Sequence, residues 1–172
     1  HDCTTFMVLL AALAVAVTRW TGQEEFCLGT RVAGRHRAED RDVVAFFVNL
    51  LALRFSPDGR QTTGEFLAAV REQVVEAFAH QHVPFETVLD ALRVTPDAAV
   101  TPLIPIVITY QNVPVSPARS EPMHIDVRPL KVHNGSVRTE LDFSFEGQGA
   151  SLELAFEFRD DMFDEARAMS LV

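Results

Sequence analysis

The sequence predicts a layered α/β or α+β fold in which helices cover one mixed or antiparallel sheet. Three observations carry this. Two long segments have apolar residues at helical spacing, one β-branched and aromatic stretch reads as a buried strand, and alternating segments near the end read as an antiparallel run. The 172 residues suffice for one domain or one large lobe of a bigger one. With 48% hydrophobic and 23% charged residues, the composition is that of an ordinary globular protein.

Thr4 and Thr5 can cap a helix running to about Trp20, apolar on nearly every side and hence expected to be buried. Thr21-Gly22 stops it. Glu25 to Val32 reads as a strand, and Gly34 to Asp42 as a charged loop. In Val43 to Phe55 the second half is predicted to be a buried strand, followed by the turn Ser56-Pro57-Asp58-Gly59. Thr62 or Thr63 can cap a helix to about Ala79, with Phe66, Leu67, Val70, Val74 and Phe78 on one face. His80 to Pro84 breaks it, and Phe85 to Leu92 gives a short second helix.

Arg93 to Pro105 reads as loop and Ile106 to Gln111 as strand; a Pro-rich loop follows. Strands are then predicted over Met123 to Val132, Val137 to Phe145 and Ser151 to Arg159, with turns at Asn134-Gly135 and Gly147 to Gly149. In the last strand Leu152, Leu154, Phe156 and Phe158 alternate with polar neighbours, predicting one buried and one wet face.

The net charge of −9, with 24 acidic against 15 basic residues, argues against a phosphate backbone as partner. The longest apolar run, Phe6 to Val17, spans 12 residues, against about 20 for a membrane helix. No signal-peptide pattern flanks it. Cys3 and Cys27 are expected to be buried free thiols in a reducing cytoplasm. The chain opens at His1 almost inside an apolar helix and stops within a helix-like pattern, as expected of a piece of a larger domain.

Among candidate site residues, Asn49 lies in a very apolar strand, so its amide either pins neighbouring backbone or faces a polar tunnel. Arg54 is expected to find a carboxylate or a phosphate-bearing group. Tyr110, Gln111 and Asn112 leave a strand for a loop, a usual place for site residues. His80 and His82 lack a third ligand at metal spacing, so no metal site is expected. His124 and His133 are expected on strands beside loops, at the surface. Pro84, Phe85 and Glu86 read as a helix start: Pro84 opens it, Phe85 packs inward, and Glu86 favours the positive N-terminus.

Together these stretches resemble the second half of condensation domains in nonribosomal peptide synthetases. His1 to Trp20 with Gly22-Gln23-Glu24 is similar to the family's helix and R-x-T-G-Q-E turn. Val44-Ala45-Phe46-Phe47-Val48-Asn49 with Leu53-Arg54 resembles V-G-x-F-V-N-T…L-x-R, and His80-Gln81-His82-Val83-Pro84-Phe85-Glu86 resembles H-Q-D-x-P-F-E. Pro102-Leu103 leading to Tyr110-Gln111-Asn112 is similar to P-L-F-Q-x-x-F…x-Q-N. Leu141-Asp142 and Asp161-Met162-Phe163-Asp164 echo F-D-L…D-L-F-D. The motifs are collinear over the whole chain. Ala45, Leu50 and His82 depart from the pattern, and the loop Pro96 to Leu103 lacks the family's two arginines and serine.

The resemblance implies one lobe, the C-terminal one, of a two-lobed fold of the chloramphenicol-acetyltransferase type. It implies amide formation between a thioester donor and an amine acceptor, both on phosphopantetheine arms of peptidyl and aminoacyl carrier proteins, with no cofactor bound directly. The catalytic motif His-His-x-x-x-Asp-Gly belongs to the N-terminal lobe, so no catalytic residue is expected here. His36 with Asp40 satisfies only His-x-x-x-Asp, with Arg35 and Arg41 in the flanking positions, and is read as solvated loop. Asn49, Arg54, His80, Gln81, Tyr110, Gln111 and Asn112 become candidate tunnel residues. The implied partners are the N-terminal lobe and carrier proteins, with no nucleic acid and no membrane; the isolated lobe is expected to self-associate. Two functions compete: part of a cytoplasmic condensation enzyme, or a degenerate platform that docks another protein.

Overall fold

The computed structural model describes residues 2–35, 37–40, 42–94, 102–111, 130, 132, 135–148 and 151–172. Helix α1 spans Thr5–Thr21, β1 Phe26–Val32, β2 Asn49–Phe55, α2 Thr63–Ala79 and α3 Phe85–Leu92. Strands β3 Ile106–Gln111, β4 Leu141–Gln148 and β5 Ser151–Phe158 follow, then a short α4, Glu165–Met169. The sheet is mixed, in the order β2-β1-β3-β4-β5. β1 runs parallel to β3 and β3 to β4, while β2 and β5 pair antiparallel at the two edges.

Strand alternation sorts the side chains into two faces. On one face Leu28, Leu53, Phe55, Ile106, Ile108, Leu141 and Phe143 meet the buried side of α1 and Val70 and Val74 of α2. On the other, Val107 with Leu50 and Ala52 meets Phe85 and Leu89 of α3 and the loop residue Ile104. Gly29 faces this second cluster; a Cβ there would fall 2.3 Å from a methyl group of Ile104.

The helix ends follow the sequence signals. The Thr4 hydroxyl accepts from the Met7 N–H, and Gly22, left-handed at φ 73°, closes α1 on Thr18. Thr62 and Glu65 form a reciprocal cap on α2. The Glu65 carboxylate accepts from the Thr62 N–H at 2.9 Å and hydroxyl at 2.8 Å. These bonds, the backbone one first, hold its pKa below the usual carboxylate range. A carboxylate depressed in the folded state contributes above its unfolded pKa of about 4.3 and loses that contribution as pH falls through the folded value. Acidification below about pH 4 is therefore expected to loosen the first turn of α2. Faster amide exchange at Thr62, whose N–H the carboxylate accepts, would report it, and Glu65→Gln should flatten the pH response.

Several expectations are corrected. α1 buries one side only, with Met7, Leu10, Ala11, Leu13, Ala14 and Val17 inward and Val8 46% exposed, because it packs on the sheet from outside. Cys3 and Cys27 are not joined in a disulfide and are half-buried, not buried, the Cys3 thiol directed at the Leu67 carbonyl; burial pushes the Cys27 thiol up. The strand predicted from Val137 begins at Leu141, where partners on both sides become available: Leu141 pairs with Ile106 and Phe158. Gly147 sits within β4 opposite Leu152, not in a turn. Leu152 is 45% exposed, since the apolar face of β5 runs past the helices that cover it, while Leu154, Phe156 and Phe158 pack against the core. Leu130 and Val132 belong to no strand; the rest of the strand predicted over Met123 to Val132, with Asn134, lies outside the described residues.

The segment before β2 is held from below. Arg35 donates to the carbonyls of Asp40, Val43 and Ala45 and lies 4.6 Å from the Phe47 ring centre. Gly34 is left-handed at φ 66°, and a Cβ there would sit 1.9 Å from the Phe47 oxygen. Val44 and Phe46 consequently stand out into solvent, Phe46 at 81% exposure.

Candidate functional site

α2 and α3 cover opposite faces of the sheet, so the chain between them passes around the free edge of β2. Residues 80–84 make that passage, and Asn49 at the start of β2 fastens it. Its Nδ2 donates to the carbonyls of Gln81 at 3.0 Å and Val83 at 2.7 Å. Its Oδ1 accepts from the Phe85 N–H at 3.2 Å. Both amide hydrogens are thus spent on backbone, and Asn49 pins the elbow.

The elbow residues follow from this geometry. His80 ends α2, its N–H directed at the carbonyls of Glu76 and Ala77. His80 and His82 are exposed, their rings 6.4 Å apart. Among the described residues no three His, Cys, Asp or Glu side chains converge as a metal site. Gln81 offers its carbonyl to Asn49, and its side chain is half-buried. Pro84 is the cap residue of α3, Phe85 is 9% exposed, and Glu86 lies in the positive first turn.

The other candidates divide between the two ends of the sheet. Tyr110 and Gln111 close β3 at the carboxyl end of the parallel strands, the same end as Asn49. Ligands of open α/β sheets gather at that end. The Tyr110 hydroxyl lies 3.0 Å from where a Cβ on Gly147 would stand, and Gln111 is exposed. Arg54 is not brought to this place: it lies five residues along β2 from Asn49, about 17 Å away. There its Nε meets Glu25 Oε1 at 2.7 Å, both side chains well exposed. The ion pair lowers the Glu25 pKa and raises that of Arg54. Asn112, His36, His124 and His133 lie outside the described residues.

Sequence reasoning missed a polar cluster on the α3 side of the sheet. Arg31 of β1 reaches over β3 to β4, its Nη2 2.5 Å from Asp142 Oδ2 and its Nη1 3.1 Å from Thr109 Oγ1. The Asp142 side chain is 10% exposed, and its Oδ1 lies 3.5 Å from Ser144 Oγ. Removing one partner of so buried a pair leaves an uncompensated charge. Register sets Asp142 directly opposite Glu157 of β5, on the same face. These residues border a cavity of about 390 Å³, lined by Arg31, Val132, Ser136, Arg138, Asp142, Ser144 and Glu157. The available signal was the polar phase of β4 and β5, Asp142, Ser144 and Glu157, which reads equally as an ordinary wet face.

Among the described residues no helix is long and apolar enough to cross a membrane. The family model for the condensation domain matches residues 1–172. One of the linear gramicidin synthase proteins of Brevibacillus parabrevis is 35% identical over 168 residues, covering 95% of this chain and 2% of that protein. The chain therefore spans a small fraction of the length of such relatives. Among solved structures, the condensation domain of Monacolin K polyketide synthase MokA matches with a TM-score of 0.83 at 23% identity, over 99% of this chain and 39% of that one. The X-domain from teicoplanin biosynthesis, in its complex with OxyB, matches with a TM-score of 0.77 at 22% identity, over 99% and 38%. Both likenesses are of fold. With the family model running from the first residue to the last, the chain belongs to the condensation-domain family.

Proposed function

We propose that the chain is the C-terminal lobe of a condensation domain, one wall of a tunnel where an amide bond is made between a carrier-bound thioester and a carrier-bound amine. The observation that carries the reading is the match to the condensation family over all 172 residues, with 35% identity to a linear gramicidin synthase protein. The substrates arrive on phosphopantetheine arms of peptidyl and aminoacyl carrier proteins in the cytoplasm. Asn49, His80, Gln81, Tyr110 and Gln111 lie at the carboxyl end of the sheet, where this lobe faces the tunnel. Asn49 acts there through the elbow backbone, and Pro84, Phe85 and Glu86 build the helix that follows. Arg54, at the other end, belongs to the outer surface. The histidine that handles the amine is supplied by the N-terminal lobe, which also covers Val44 and Phe46; a lone lobe self-associates through that exposed apolar segment.

The test supplies two loaded carrier proteins to the intact domain and to these 172 residues alone, with product read by mass spectrometry. Product is expected from the intact domain only. Turnover by the 172 residues alone would place the catalytic group in this lobe and overturn the assignment. The X-domain in complex with OxyB favours a second reading, a platform that docks a partner protein. An intact domain that makes no product yet holds a partner protein would select it.

A further inference from the structure

We infer that Arg35 is a positioning residue: its guanidinium holds residues 43–48 as a preformed apolar ridge that packs on the part of the condensation domain lying outside these 172 residues. The inference rests on the reading of the chain as one lobe and names the residue that shapes its contact with the other.

The ridge reads Val43-Val44-Ala45-Phe46-Phe47-Val48, with no polar side chain among the six. Val44 stands fully in solvent and Phe46 at 81%, with Val48 beside them also exposed, while Phe47 turns the other way, onto Arg35. Apolar side chains on a free segment would fold back onto their own lobe, driven by loss of contact with water. Here the backbone is held against that. Arg35 Nη1 donates to the carbonyls of Asp40 and Val43 and Nη2 to that of Ala45, and its flat face lies on the Phe47 ring. Gly34 leaves room for the Phe47 carbonyl, where any Cβ would collide with it. The far end is fixed as well, since Asn49 pairs with Val32 and pins the elbow. A segment tied at both ends has little freedom left to lose on packing.

What covers the ridge follows from its composition and from the extent of the chain. Permanent interfaces are more apolar than those of partners that come and go, and resemble a domain core cut in half. A ridge without a polar side chain is of that kind. The chain spans 39% of the MokA condensation domain, so most of such a domain lies outside these residues. The other lobe is thus a surface of sufficient size that never leaves.

The test uses the intact condensation domain that contains these residues. Hydroxyl-radical footprinting read by mass spectrometry should find Phe46 protected almost as well as Phe55 of the core, although Phe46 is open in this lobe. In Arg35→Ala, amide exchange over residues 43–48 should quicken about tenfold, the effect of one charged hydrogen bond, with Phe55 still protected. Added guanidinium ion should slow it again, and an equal concentration of sodium chloride should not. Arg35→Lys keeps the charge but loses the fork and the flat face, so it should behave as the alanine does. It decides the matter should Arg35→Ala fail to fold. Free oxidation of Phe46 in the folded domain overturns the inference, as does exchange over residues 43–48 that matches the parent in a folded Arg35→Lys variant. Exchange that salt slows as well as guanidinium does the same. So does protection that fades on dilution, which would make a second copy the cover, or that needs an added protein, which would make the ridge a platform. Product in the two-carrier assay from a domain whose Phe46 is open would sink this inference and leave the tunnel reading standing; a protected Phe46 in a domain that makes no product would do the reverse.

Discussion

Asn49→Leu is expected to lose about 2–4 kcal/mol of stability, from three hydrogen bonds at about 1 kcal/mol each plus the cost of carbonyls left without partners. The side chain is nearly isosteric, so the loss would report the bonds to Gln81, Val83 and Phe85 and not a change of volume. Asn49→Asp separates the two directions of bonding. It keeps the acceptor for the Phe85 N–H but turns a carboxylate on two carbonyl oxygens, and should cost as much as the leucine. Urea titration gives the magnitudes, and amide exchange at Phe85 gives the location. A leucine variant within about 0.5 kcal/mol of the parent would mean that the elbow holds itself without Asn49.

Phe85→Ala should cost about 3–5 kcal/mol, the usual loss for emptying a buried phenylalanine site. The ring is 9% exposed and shares its small cluster with Leu89, Ile104 and Val107, so few neighbours can move in to fill the space. His82→Ala, three residues away, should cost less than about 1 kcal/mol because its side chain is exposed. Denaturant titration of both variants tests the pair. A severe loss from His82→Ala with little from Phe85→Ala would reverse the assignment of which side chain anchors α3.

Local chemistry was legible in the sequence, and the relations between distant strands were not. The reciprocal cap of Thr62 and Glu65, the glycine stop at Gly22 and the start of α3 at Pro84 each lie within a few residues, where spacing determines geometry. Asn49 could be read as a backbone pin or a tunnel residue. The choice between them depends on β2 being an edge strand that the chain must pass, which strand order decides and spacing does not. The Arg31–Asp142 pair joins residues 111 apart in sequence, and neither side chain carries a local mark of the other. Burial of α1 was overestimated for a related reason: an apolar run shows that a helix has a core side, but only the packing shows that Val8 lies off it.

The strand order also bears on how the chain comes together. β4 and β5 pair with Gln148 opposite Ser151, and β1 and β2 pair across the segment that ends at Asn49. β3 has no neighbour close in sequence: Leu28 meets Ile106, and Ile106 meets Leu141. Loop-closure entropy grows with the logarithm of the separation, so the β1–β3 ladder costs about 2–3 kcal/mol more to close than the β4–β5 ladder. The two outer hairpins are low-contact-order pieces, and the parallel centre that unites them is the non-local step on which the topology's folding rate depends.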